Sequence, residues 1–317
     1  MIDLSVVIPV YGSAPILPRL AERLEQALEA LGRPYEVVLV YDCSPDDSWK
    51  VIASLCSTRP WLKGVRLRKN AGQHNAIMAG LGIATGRYIV TMDDDLQHSP
   101  DDIARIVKIL DDGADVCYVQ FKRRRHVLWK RLGSRFNDQV ASWLLRKPKG
   151  LYLSPFRGFI REIRDEMLRY EGPFVYLDGL IVQSTSNIQT LQGEHHDRDD
   201  GKSGYSLSKS ISLWMQMATS FSIKPLRMAS LMGIAASGFG FVAAAALVVQ
   251  KIVWPQTAVG WTSLIVAVLI MGGIQLLALG VVGEYIGRVL LNVSNKPQYV
   301  RGTVLNGESS TTEAQSA

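Results

Sequence analysis

Apolar residues recur in two alternating patterns along the first part of the chain. Runs at 4–10, 35–40, 64–67, 88–92 and 114–119 are apolar on both faces and rich in β-branched residues, which predicts buried strands. Between them, residues 16–31, 48–55, 74–84 and 103–110 repeat apolar positions at helical spacing. Strand and helix in alternation predict βαβ units, a mostly parallel sheet and helices on both its faces. Ligands of such sheets sit beyond the carboxyl ends of the strands. The chain starts directly into the first apolar run, with no basic segment before it, so no signal peptide is expected.

Near the other end the pattern changes in kind. Residues 228–250 and 252–283 contain no Asp, Glu, Lys or Arg. Each stretch exceeds the roughly 20 residues that a spanning helix needs. Pro255 and Gly260 mark a turn between them, with Trp254 and Trp261 where interfacial aromatics belong. Lys224 and Arg227 precede the first stretch and Arg288, Lys296 and Arg301 follow the second, while the connection carries Lys251 alone. By the positive-inside rule the N-terminal domain and the tail are expected in the cytoplasm. Residues 207–218 carry one apolar face, which suits either an interfacial amphipathic helix or a packing helix of the soluble domain. The expected organisation is a domain over 1–206, a juxtamembrane helix over 207–227, spans over 228–251 and 260–286, and a tail over 287–317 whose end is disordered.

Composition narrows the function classes. Of 317 residues 47% are hydrophobic and 20% charged, too apolar for a disordered chain and too polar for an all-membrane transporter. Cys43, Cys56 and Cys117 have no close spacing, so they fit neither a disulfide framework nor a zinc site and read as reduced thiols. A net charge of +6 suits a membrane surface or a phosphate ligand as well as nucleic acid, and decides nothing alone.

The chemistry gathers in three places. Asp93, Asp94 and Asp95, with Leu96 and Gln97, follow the 88–92 strand. Three adjacent carboxylates repel one another unless a cation sits among them, and hard oxygen ligands at this density suit Mg²⁺ or Mn²⁺. An acidic solvated turn is the plainer alternative. Ser99 as cap and Pro100 as first residue would make Asp101 and Asp102 an ordinary helix start. Asp42, past the second strand, is placed to accept hydrogen bonds from a base or ribose; the alternative, a turn with an Asx cap, accounts for Asp46 and Asp47 better than for Asp42. No phosphate-binding glycine loop follows any strand, which argues against P-loop and dinucleotide enzymes. A basic group at Lys122, Arg123, Arg124 and Arg125 continues through Lys130, Arg131 and Arg135 to Arg157, Arg198 and Lys202. Such clusters bind phosphates, and with apolar spans attached a lipid phosphate is more economical than nucleic acid. His195 and His196 lack a nearby third histidine, so a metal role is not expected there.

In this order the motifs resemble a known family. Val6-Val-Ile-Pro-Val-Tyr11, Asp42-Cys-Ser44, Asn70-Ala-Gly-Gln-His74 and Asp93-Asp-Asp-Leu-Gln97 look like family 2 glycosyltransferases of GT-A fold. Arg198-Asp-Asp-Gly-Lys-Ser-Gly-Tyr205, Pro225-Leu-Arg227 and Gly280-Val-Val-Gly-Glu-Tyr-Ile-Gly-Arg288 narrow the resemblance to polyprenyl-phosphate glycosyltransferases. That branch includes undecaprenyl-phosphate glucosyl and aminoarabinosyl transferases and dolichyl-phosphate mannose synthase. The resemblance implies a Rossmann-like GT-A domain with a mostly parallel α/β sheet, followed by a two-helix transmembrane hairpin in the inner membrane. It implies an inverting transferase that moves a sugar from a nucleotide sugar, a UDP-hexose by preference, to polyprenyl phosphate for the cell envelope. A homotetramer is the implied assembly.

Carried over by position, Asp93 and Asp95 are the catalytic carboxylates and, with Gln97, hold Mg²⁺ or Mn²⁺. Pro9, Tyr11, Asp42, Gln73 and Asp94 line the nucleotide-sugar pocket. Arg124, Arg131, Arg198 and Lys202 meet phosphates, with Ser203 and Tyr205 shaping their loop. The chain departs from the family pattern at Gly12-Ser13, where Asn-Glu is usual, and at Leu151-Tyr-Leu-Ser-Pro-Phe-Arg157, which lacks the usual carboxylate. A processive polysaccharide synthase would carry a Gln-x-x-Arg-Trp motif and more spans. A tethered nucleotide-sugar binder without catalysis would not need the acidic run.

Overall fold

A computed structural model describes residues 2–121, 151–172, 175–193, 224–253, 260–294 and 296–307. The described residues form two units, one of residues up to 193 together with 296–307, the other of the helices between 224 and 294.

The first unit is built on an eight-stranded sheet. Its strands are β1 (Leu4–Val10), β2 (Tyr35–Tyr41), β3 (Leu62–Leu67), β4 (Tyr88–Thr91), β5 (Val116–Phe121), β6 (Arg157–Ile160), β7 (Ile188–Gly193) and β8 (Arg301–Leu305). They lie in the order β7-β5-β6-β4-β1-β2-β3-β8, with β6 and β8 antiparallel to their neighbours and the rest parallel. Helices α1 (Leu17–Leu31), α2 (Ser48–Thr58), α3 (Gln73–Leu81), α4 (Asp102–Asp111), α5 (Arg161–Leu168) and α6 (Leu177–Ser184) flank it.

Every residue of β1 is buried, as its two-sided apolar run requires. In α1, Leu17, Leu20, Ala21, Leu24 and Leu28 are buried at helical spacing, and Gly32 ends the helix in the left-handed region. Helix α3 lies so close to the sheet that a Cβ on Gly80 would sit 2.4 Å from Val7 Cγ1 and 2.8 Å from Val40 Cγ2. Pro9 is tolerated inside a central strand because the β1–β4 ladder ends at Val7 opposite Thr91. The same parting of β4 from β1 opens a crevice at the point where strand order reverses.

Two local expectations are corrected. Helix α4 begins at Asp102, not beside Ser99: residues 99–102 form a turn in which Ser99 donates to Asp101 at 2.8 Å, and Asp102 is buried beside Arg105. The stretch read as tail contains β8, which closes the sheet against β3, with Leu305 packed on the core. Asn306 locks that strand by donating to the Cys56 carbonyl at 2.7 Å and the Leu62 carbonyl at 2.9 Å. Cys56 and Cys117 are buried free thiols, and burial pushes their pKa values up to about 11 and about 12, as reduced core cysteines require.

The second unit holds α7 (Lys224–Val253) and α8 (Trp261–Val293), which touch one another. Helix α7 takes in residues 224–227, and α8 runs past residue 286, so both exceed the apolar stretches read from sequence. Among the described residues one segment, Ile270–Val293, is long and apolar enough to cross a membrane, with a mean hydropathy of 1.6; the apolar part of α7, Ala229–Val242, is shorter. Both helices leave large apolar side chains exposed, among them Phe239, Phe241, Leu276 and Leu279.

Candidate active site

The crevice at the carboxyl ends of the strands has a volume of about 350 Å³. Pro9, Val10 and Tyr11 line it from the end of β1, Asp42 from β2, Asn70, Gly72 and Gln73 from the turn into α3, and Asp93, Asp94 and Asp95 from the loop after β4. Every residue assigned to the nucleotide pocket from sequence thus reaches one cavity. The parallel register explains the meeting: Val10 pairs with Tyr41, which sets Tyr11 beside Asp42.

Asp42 is buried, and its two oxygens accept from the backbone N–H groups of Ala71 at 2.6 Å and Gly72 at 2.9 Å. Gly72 has φ +85°, a left-handed conformation that glycine takes without strain. Asn70 closes the turn by donating to the Asp42 carbonyl at 3.0 Å. Burial raises the Asp42 pKa, and the two N–H donors work against that rise. The carboxylate therefore shapes the floor of the crevice, and each oxygen keeps a lone pair for a ligand. Of the neighbouring acids, Asp46 is the one that organises the turn, accepting from Ala14 N–H at 3.0 Å and from the hydroxyls of Ser44 and Ser48. Although burial opposes it, these donors bring its pKa down to about 2.

The three adjacent carboxylates face three ways. Asp93 accepts from the Gln73 side-chain amide at 2.7 Å, Asp94 from the Ser13 hydroxyl at 2.5 Å and the Tyr11 N–H at 3.2 Å, and Asp95 from the Gln97 N–H at 3.1 Å. Burial raises the Asp94 pKa, and Asp95 adds to it, against the two donors. Asp94 is thus the internal member, fastening the acidic loop to the turn after β1. Buried Leu96 then takes φ +58°, a strained conformation for a leucine, which gives the loop its sharp reversal. Ser13, one of the two residues at which the chain departs from the usual Asn-Glu, is thus the hydroxyl that fastens Asp94.

Asp93 and Asp95 are suited to a hard divalent cation, since each offers carboxylate oxygen at the crevice. Among the described residues no three His, Cys, Asp or Glu side chains gather closely enough to hold a metal by themselves. A cation here would complete its shell with water and substrate oxygens, the common arrangement for Mg²⁺.

Arg157 is corrected. Sequence reading grouped it with phosphate-binding cations, but it is 2% exposed and ion-paired to buried Asp178. Its Nε donates to Thr91 at 3.3 Å, and Tyr118 donates to Asp178 at 2.9 Å. Burial pulls the Arg157 pKa down, but Asp178 and Tyr118 outweigh it and hold the guanidinium charged. His74 lies beside this group, edge-on to Tyr176 at 5.4 Å between ring centroids. The signal for this network was Asp178 itself, an acid within the apolar run Leu177-Asp-Gly-Leu-Ile181, which demands a buried partner. Arg124, Arg131, Arg198, Lys202, Ser203 and Tyr205, with His195, His196 and the 207–218 stretch, lie outside the described residues.

Comparison with known proteins follows the same lines. The chain is 35% identical over 313 residues to an undecaprenyl-phosphate 4-deoxy-4-formamido-L-arabinose transferase of Enterobacter sp. (strain 638), covering 98% of this chain and 96% of that one. It is 34% identical to a Klebsiella pneumoniae (strain 342) protein of the same name, covering 93% and 91%. Among solved structures, glucosyl-3-phosphoglycerate synthase from Mycobacterium tuberculosis, in complex with Mn²⁺, UDP and phosphoglyceric acid, superposes with a TM-score of 0.51 at 16% identity. That match covers 68% of this chain and 77% of the synthase, and concerns the GT-A fold alone. The model of glycosyl transferase family 2 matches residues 5–168, from the second residue of β1 past the end of β6, with the whole crevice. With relatives this similar along nearly its full length, the chain belongs to glycosyltransferase family 2.

Proposed function

We propose that the protein transfers a sugar from a nucleotide sugar to undecaprenyl or a similar polyprenyl phosphate at the cytoplasmic face of the membrane. The observation that carries this reading is the extent of the likeness to the undecaprenyl-phosphate transferases, which includes the apolar helices as well as the crevice. An acceptor held in the bilayer gives an apolar segment such as Ile270–Val293 a use beside the crevice's chemistry.

The reaction needs little proton chemistry. The second ionisation of a monoalkyl phosphate lies near pH 6, judging by phosphoserine, so the acceptor is already mostly a dianion at neutral pH. Its oxygen attacks the anomeric carbon in line, the new C–O bond forms as the bond to the diphosphate breaks, and the configuration inverts. The nucleoside diphosphate leaves with the electron pair. Accordingly, the lack of a carboxylate between Leu151 and Arg157 removes nothing the step requires. The chain's tasks are alignment and charge placement. Tyr11, more than half exposed at the mouth of the crevice, offers a ring face to the base. Asp42 and the 70–72 turn position the nucleoside, and Gln73 orients Asp93. Asp93 and Asp95, with Gln97, would hold Mg²⁺ or Mn²⁺, which supplies positive charge opposite the departing diphosphate. Arg124, Arg131, Arg198 and Lys202 are assigned to the acceptor and donor phosphates.

Replacing Asp95 with Asn tests the assignment. Turnover of lipid-linked sugar is expected to vanish while the protein stays folded; a folded Asp95→Asn protein with full activity would sink it.

A further inference from the structure

The fold treats the cations at the two ends of β2 and β3 differently. At the amino ends of β2 and β3 they are neutralised: Arg33 bonds Asp3 at 3.0 Å and Asp111 at 2.5 Å, Arg59 bonds Glu25 at 3.2 Å, and Lys63 bonds Glu36 at 2.5 Å. At the carboxyl end of β3, Arg66, Arg68 and Lys69 are exposed and have no ion pair among the described residues. Arg66 rests over the Trp49 ring, 5.8 Å from its centroid. Strand β8 runs antiparallel to β3 and its first residue, Arg301, pairs with Leu67, so it delivers another exposed cation, with no ion pair among the described residues, to the same corner. Lys296, five residues earlier, is exposed as well. Arg66 and Arg68 line a concavity of about 410 Å³ that the bare backbone of Gly302 helps keep open.

We infer that this corner of the sheet, where the carboxyl end of β3 meets the start of β8, docks on the anionic headgroup surface of the bilayer. The inference rests on the reading of Ile270–Val293 as a membrane segment. Lys296 and Arg301 follow that segment by three and eight residues, so an extended chain spans at most about 28 Å between its end and the corner. Lysines and arginines so close to a spanning helix meet the negative surface potential of a leaflet, which acts over about one Debye length. The acidic loop does not cancel the attraction. It follows β4, three strands from β3 in the sheet order, and Asp42, the carboxylate nearer the corner, is buried with both oxygens on the N–H groups of Ala71 and Gly72. Like charges left unpaired repel one another, and a surface of opposite sign is what relieves them.

The test uses the full chain in nanodiscs of phosphatidylcholine alone or with phosphatidylglycerol, followed by amide hydrogen exchange over residues 66–70 and 296–303. The docking predicts slower exchange with phosphatidylglycerol, weakened by salt and lost in the R66E/R68E variant, while core peptides exchange unchanged. Each charge removed is expected to cost about five-fold in the surface association. Equal exchange in both discs would overturn the inference. So would protection that appears in neutral discs on adding UDP-glucose, since the corner would then be holding donor phosphates. Sugar transfer measured in the same discs reports separately on the reaction, because the exchange readout needs no turnover.

Discussion

Gln73 and Asp93 meet across the crevice: the side-chain amide of the first residue of α3 donates to the first carboxylate of the acidic loop at 2.7 Å. Gln73 is exposed and contributes little to the core, so its contact matters to the site and not to the fold. Hydrogen bonds to charged groups are worth about 1.5–3 kcal/mol. Gln73→Leu is therefore expected to lower kcat/KM by about ten-fold or more, with thermal unfolding of the protein unchanged. Steady-state kinetics and a melting curve on one preparation check both halves.

The buried Arg157–Asp178 pair carries the opposite expectation. Removing one partner strands the other charge in the interior, which costs about 3–5 kcal/mol. Arg157→Met and Asp178→Leu are each expected to destabilise by that amount. The double replacement should lose less than either single one, because no uncompensated charge remains. Urea unfolding of the three variants separates these cases.

His74 gives the fold a pH dependence of defined sign. Burial lowers its pKa to about 4 from the ordinary 6.5, with Asp178 opposing and Arg157 reinforcing the shift. Its Nδ1 is buried with no hydrogen-bond partner among the described residues. Below pH 6.5 the unfolded chain takes up a proton at this residue that the folded chain refuses until about pH 4. Its stabilising contribution is therefore complete above pH 6.5 and declines as the pH falls towards 4, by at most about 3 kcal/mol. In His74→Phe that part of the slope disappears, as read from unfolding free energies at a series of pH values.

Gly80 tests the packing of α3 on the sheet. A methyl group there meets Val7 Cγ1 at 2.4 Å and Val40 Cγ2 at 2.8 Å, so valine side chains of two central strands must move. Gly80→Ala is expected to destabilise by about 1–3 kcal/mol despite the better helix propensity of alanine. A rise in melting temperature would contradict the close approach.

The sequence made the parallel centre of the sheet legible because β1, β2 and β4 are apolar on both faces, and their runs survive without knowledge of neighbours. It hid β6, β7 and β8 for a related reason. Strand β6 is four residues long and opens with a charged arginine whose partner lies in α6; β8 is half exposed and pairs with a segment more than 230 positions earlier. Short or edge strands carry too few apolar residues to announce themselves, and their pairing is a tertiary fact. The acidic loop and Asp42 were legible as chemistry, since carboxylates at strand ends have few structural uses. Their division of labour was not. Asp94 turns to Ser13 and Asp93 to Gln73 in a loop with a left-handed Leu96, and no pattern of residue types signals that geometry.

The central claim is tested most directly by mass detection of lipid-linked sugar. Purified protein is given undecaprenyl phosphate and a panel of UDP-, GDP- and dTDP-sugars, with and without Mg²⁺. One donor turning over only in the presence of the cation, and not with Asp95→Asn, is the predicted result. Nucleotide sugar that binds in the crevice while no sugar reaches the lipid from any donor would contradict the account.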